Sequence, residues 1–76
     1  MEIQEFVLNF ANQFDDTELE VFAPEIRFRD LEEWSSLTGL AVMNMIAKKY
    51  EVKITPAELK SVETVEALYN LVAGKK

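Results

Sequence analysis

Apolar residues at Ile3, Phe6, Val7, Phe10 and Phe14 recur every three or four positions, and that spacing limits what the start of this chain can become. It is the stripe of an amphipathic helix over Glu2 to Phe14, with Glu5, Asn9, Asn12 and Gln13 off the stripe. Glu2 and Glu5 lie in the first turn, where the helix dipole favours acids. A helix with one apolar face must bury it, and 76 residues have room for a single core, so residues 1–76 are expected to form one domain. There is no cysteine, so no disulfide can supplement so small a core, and regular helix packing has to hold it.

Asp15-Asp16-Thr17 ends the first stripe, and roughly twenty residues pass before the next helical period. A connection of that length is functional or carries structure of its own. Val21, Phe22, Ile26, Phe28, Leu31 and Trp34 read as anchors that pin it to the core, with a short turn near Glu18–Phe22 that Pro24 stops. The acids at 15–18 lack the spacing and central glycine of a calcium loop, so no metal site is expected.

Ser36 to Tyr50 is the second helical segment. Leu40, Val42, Met43, Ile46, Ala47 and Tyr50 fall on one broad arc, which is expected to face the core. Gly39 lies in the same arc, where the lack of a side chain lets another segment approach closely. Leu37, Ala41 and Met45 form a second apolar strip, flanked by Thr38, Asn44 and Lys48. A helix apolar on two faces is either deeply buried or meets something besides its own core. Few helices in so small a protein can be deeply buried, so the strip reads as a docking surface unless the crossover covers it. Leu37, Thr38, Ala41, Met45 and Lys48 are therefore the expected partner contacts.

Beyond Tyr50, Val52 and Ile54 alternate with Glu51 and Lys53, an extended connector that drops two anchors inward. Thr55-Pro56-Ala57-Glu58 has threonine, proline and glutamate where a capping box needs them, and starts a short helix ending near Lys60. Thr64 caps a last helix with Val65, Leu68, Tyr69 and Val72 on its apolar face, and Gly74 before two lysines suits a C-terminal stop. The expected class is all-α: a bundle of three main helices and one short helix, with a long first crossover.

Which chemistry such a bundle can perform is narrowed by what it lacks. Without histidine or cysteine it has no serine–histidine or cysteine–histidine nucleophile and no thiolate metal site. Any thioester work needs sulfur from outside the polypeptide. The net charge of −6 argues against nucleic acid as a partner. Ten acids against two arginines before Ser36 give way to four acids against six lysines after it, so the acidic half would attract basic partners. No stretch approaches a membrane span, and the acidic "MEIQEF" is unlike a leader peptide, which makes a soluble, cytoplasmic protein the expectation.

The order of parts, a helix, a long anchored crossover, then "DLEEWSSL" opening a helix, resembles an acyl carrier protein over nearly the whole chain. "DLEEWSSL" is similar to the family's attachment motif, where an aspartate usually precedes the modified serine and a leucine follows it. "YEVKITPAELKSVETVEALYNLV" is similar to the family's second half, including Tyr50, the alternating Val52 and Ile54, and the Thr64-Val65 helix start. The resemblance implies a four-helix acyl-carrier-like bundle with no catalysis of its own. It implies that 4′-phosphopantetheine, taken from coenzyme A, is attached to Ser36, the residue before the leucine, rather than to Ser35. The thiol of that arm holds an acyl intermediate as a thioester, in fatty acid biosynthesis or another branch of lipid or secondary metabolism. A helix start suits the phosphodiester, because its unpaired amides and dipole favour an anion. The implied partners are a phosphopantetheinyl transferase and an acyl ligase, acyltransferase or synthase, visiting a monomer.

Two departures from the family pattern stand out. Ser35 occupies the place of the usual aspartate, and no acid lies between Ser36 and Tyr50, where fatty-acid carriers present acids to basic partner enzymes. The first bears on recognition by a general phosphopantetheinyl transferase, and the second points to a dedicated carrier with its own ligase or transferase. The reading from a different class is a helical adaptor that keeps the scaffold, is never modified, and uses only the apolar face of the second helix.

Overall fold

The computed structural model describes residues 2–76. Helices α1 (Ile3–Ala11), α2 (Ser36–Tyr50), α3 (Pro56–Lys60) and α4 (Val65–Lys75) pack around one core, and no strand occurs among the described residues. The all-α bundle with one short helix is as expected. Helix α1 is shorter than its stripe: regular helix stops at Ala11, and a turn carries Phe14 into the core all the same. Ala11, which lies off the predicted stripe, is buried as well.

Aromatic rings form a large part of that core. Phe10 is fully buried and meets Phe14, Phe22, Phe28 and Trp34 at centroid distances of 5.4, 6.0, 5.5 and 6.5 Å. Phe6 meets Tyr50 and Tyr69, each at 5.6 Å. These pairs are tilted or edge-on, or stacked with an offset, as the ring quadrupole prefers. Tyr50 also keeps its phenol satisfied, accepting a 2.8 Å hydrogen bond from the Asn9 amide.

The crossover is ordered by its anchors, in part differently from the expectation. Phe22 and Phe28 are buried, and Ile26, Leu31 and Trp34 pack against the core from partly exposed positions. The expected turn exists as a 3₁₀ turn at Leu19–Val21, and a second lies at Phe28–Asp30. Val21 is not an anchor: it is 41% exposed, because three residues per turn cannot put both it and Phe22 inward. The crossover is tied instead at its middle. The Val65 amide donates to the Ile26 carbonyl at 3.2 Å and the Glu66 amide to the Pro24 carbonyl at 2.8 Å, so first-turn amides of α4 find acceptors on the crossover.

Helix ends follow the sequence closely, with one exception and one addition. Thr55 and Glu58 complete the capping box at α3, and Thr64 caps α4 by accepting from the Ala67 amide at 3.0 Å. Glu58 also pairs with Lys75 at 2.7 Å, joining α3 to the end of α4. Gly74 does not stop α4: it has no left-handed φ, and the helix runs through it to Lys75. The left-handed residue is Glu51, after α2, at φ 56° and ψ 38°. An L-residue there costs about 1–2 kcal/mol, so Glu51→Gly should raise stability by about 1 kcal/mol. Thermal unfolding should register this as a Tm about 4–8 °C higher.

Candidate functional site at the start of the second helix

Ser35 and Ser36 take different parts at the entry to α2. Ser35 is the N-cap, extended at φ −155°, and its Oγ accepts from the Thr38 amide at 3.3 Å. Thr38 braces the same turn, its hydroxyl donating to the Glu33 carbonyl at 3.0 Å and lying 3.3 Å from Ser35 Oγ. Ser36 is the first helical residue, exposed, with its hydroxyl in no hydrogen bond among the described residues. The first turn of α2 contains no acid, and its leading amides have no intrahelical acceptor.

The segment before the serines is held from both sides. Trp34 lies against Phe28 at 4.8 Å and stacks on Phe10, so the aromatic core seats the residue next to the cap. Glu33 turns the other way and ties the end of α1: its carboxylate accepts from the Asp15 amide at 2.6 Å, the Asp16 amide at 2.9 Å and the Thr17 hydroxyl at 2.8 Å. The Asp15-Asp16-Thr17 cluster thus serves as a donor set for a protein carboxylate. Partial desolvation pushes the Glu33 pKa up, but the hydrogen bonds from Asp15, Thr17 and Asp16 together outweigh it and hold the pKa below its ordinary value. A carboxylate with a lowered folded pKa contributes stability that is present above its unfolded pKa and lost as pH falls through the folded one. Glu33→Gln should therefore be less stable than the parent protein at neutral pH. Urea midpoints of the two proteins, measured at descending pH, should converge only once the pH falls below the ordinary glutamate range.

Beside Ser36 opens a pocket of about 550 Å³ between α2, α3 and the crossover, bordered by both serines, Gly39, Leu40 and Met43. The absent side chain of Gly39 shapes it: a Cβ there would lie 3.4 Å from both Leu59 Cδ2 and Trp34 Cζ2, the close approach expected at this position.

The outward face of α2 differs from the one read in the sequence. Leu37 is 79% exposed, Ala41 and Thr38 are half-buried, and Lys48 is exposed. Met45 is only 5% exposed and belongs to the core with Val42 and Ile46, near Gln13 in the turn after α1. The exposed strip through Met45 is thereby corrected. Leu40, assigned to the core arc, is 51% exposed, and Ala47 is exposed too. The buried arc is rotated about the helix axis toward Met45, the side on which Gln13 of the turn after α1 lies. The apolar surface that remains is Leu37 with Leu40, flanking Ser36.

A free, exposed hydroxyl at the head of a fifteen-residue helix, with unpaired amides and no neighbouring acid, fits a phosphodiester. The family model described as "Phosphopantetheine attachment site" matches residues 5–72, while no curated protein and no solved structure matches the chain. Proteins of that family carry covalently attached 4′-phosphopantetheine, are in general carriers without catalysis, and meet a phosphopantetheinyl transferase and acyl-handling enzymes. With nearly its whole length matched and a fitting serine at the expected helix start, this chain belongs to the phosphopantetheine attachment site family.

Proposed function

We propose that Ser36 bears the arm and that the chain is a monomeric, cytoplasmic acyl carrier serving a dedicated pathway, with no catalysis of its own. The observation that carries the choice of residue is the division of labour between the serines: Ser35 Oγ is spent on the cap, and Ser36 Oγ is free. The bound group supplies a thiol for thioester formation. The chain's own residues hold and present it: Ser35 and Thr38 set the helix start, the amides face the phosphate, and Trp34 fixes the turn. What supports a dedicated partner is the character of α2, which offers Leu37 and Leu40 and then Lys48 and Lys49, with no acid from Ser36 to Tyr50.

Incubation with coenzyme A, magnesium and a phosphopantetheinyl transferase, followed by intact mass spectrometry, should show a gain of one phosphopantetheine unit. The adaptor reading is favoured by the same two leucines, and no gain with several transferases alongside a concentration-dependent dimer would establish it instead. If partner enzymes meet the leucine face, Leu37→Asp should lower the kcat/KM of loading about tenfold, the scale of a contact worth about 1.4 kcal/mol. Its Tm should stay near that of the parent, since Leu37 supports no core. Met45→Glu could not make this test, because it would put a carboxylate in the core.

A further inference from the structure

The pocket beside Ser36 has a charge pattern at odds with the rest of the molecule. The chain has fourteen acids against eight cations, yet none of the residues lining this pocket is acidic, and Arg29 and Lys60 both border it. Neither cation is spent on an ion pair: the one salt bridge among the described residues joins Lys75 to Glu58. Arg29 is held in place, donating through one guanidinium nitrogen to the Leu59 carbonyl at 3.2 Å and lying over the Phe28 ring at 5.4 Å. A guanidinium has five N–H donors, so most of that fork is left open. Trp34, Met43 and Leu59 give the same pocket an apolar lining. Apolar lining and cationic rim together match a ligand with methylenes at one end and a carboxylate at the other.

We propose that this pocket receives the cargo of the arm, and that the cargo it fits is a short acyl group ending in a carboxylate, the half-thioester of a dicarboxylic acid. The proposal rests on the carrier reading and deepens it. The methylenes lie against Trp34, Met43 and Leu59, while Arg29 and Lys60 take the carboxylate. An aminoacyl cargo would bring its ammonium against two like charges, which disfavours it in the same pocket. Arg29 suits the task better than a second lysine would, because its planar fork can donate two parallel hydrogen bonds to a carboxylate.

The test loads the full chain through a phosphopantetheinyl transferase, using coenzyme A derivatives in which an amide replaces the thioester so that the cargo stays attached. Four forms are compared by thermal unfolding: free thiol, butyryl, succinyl and β-alanyl. The succinyl form should melt about 4 °C above the butyryl form, which has the same chain length without the charge. The β-alanyl form should gain nothing over butyryl. The succinyl advantage should vanish in Arg29→Gln and in Lys60→Gln, and shrink in molar salt, where the Debye length falls to about 3 Å. The Lys60 side chain makes no hydrogen bond or ion pair among the described residues, so its variant remains readable even if Arg29→Gln weakens the fold. Equal melting of the succinyl and butyryl forms overturns the proposal and leaves the carrier reading standing. So does an Arg29-dependent rise already complete in the free-thiol form, which would make the arm's own phosphodiester the anion. A chain whose mass never rises on incubation loses both readings together.

Discussion

Phe10→Ala is expected to leave the chain largely unfolded at physiological temperature. Truncating a fully buried phenylalanine costs about 3–5 kcal/mol, through lost transfer energy and the cavity left behind. A chain of 76 residues has a total stability of about 4–11 kcal/mol, and small cores lie toward the lower end. Phe10 is also the ring in contact with four others, so its loss removes ring pairs worth about 0.5–1.5 kcal/mol each beyond their buried area. Trp34 is the sole tryptophan and stacks on Phe10, so its fluorescence reports the loss directly, and a urea titration of the variant should show little or no folded baseline. Phe10→Leu, which keeps most of the volume, should restore a cooperative transition. A Phe10→Ala protein with a near-parental midpoint would show that the aromatic cluster is not the centre of the core.

The second large effect separates chemistry from folding across two adjacent residues. Ser36→Ala should abolish loading altogether while changing stability by no more than about 0.5 kcal/mol, because the side chain is exposed and supports nothing. Ser35→Ala should do the reverse. It removes the N-cap acceptor of the Thr38 amide, at a cost of about 1 kcal/mol, yet leaves the Ser36 hydroxyl in place to be loaded. Intact mass after incubation with transferase and coenzyme A reads the first effect, and urea midpoints read the second. Loading that survives Ser36→Ala and disappears in Ser35→Ala would move the attachment point by one residue.

Much of this was legible in local sequence. The bounds of α2, the capping box at Thr55 and Glu58, and the inward anchors Val52 and Ile54 are all set by neighbours within a few positions, and spacing exposes such features. The close approach at Gly39 was legible too, although not which side chains make it. What spacing could not settle was which way a helix with apolar residues on two sides would turn. Met45 and Leu40 exchanged places relative to the expectation because burial there depends on where α1 packs, a contact between residues more than thirty positions apart. The pocket cations lay further out of reach. Arg29 and Lys60 are separated by thirty residues, and a bond from Arg29 to the Leu59 carbonyl joins the crossover to α3. Glu33 likewise looked like one more solvated acid, since its donors are sixteen to eighteen positions upstream.

The two backbone bonds that join the middle of the crossover to the first turn of α4 bear on when the carrier can be used. During synthesis, Ser36 and all of α2 are made well before residues 65 and 66, whose amides the carbonyls of Pro24 and Ile26 await. Until then the crossover lacks its tie to α4. The serine is therefore complete as chemistry long before it is complete as a presented surface. If Ser36 bears the arm, a transferase that reads the folded shape acts only after residues 65 and 66 have been made and the tie to the crossover has formed.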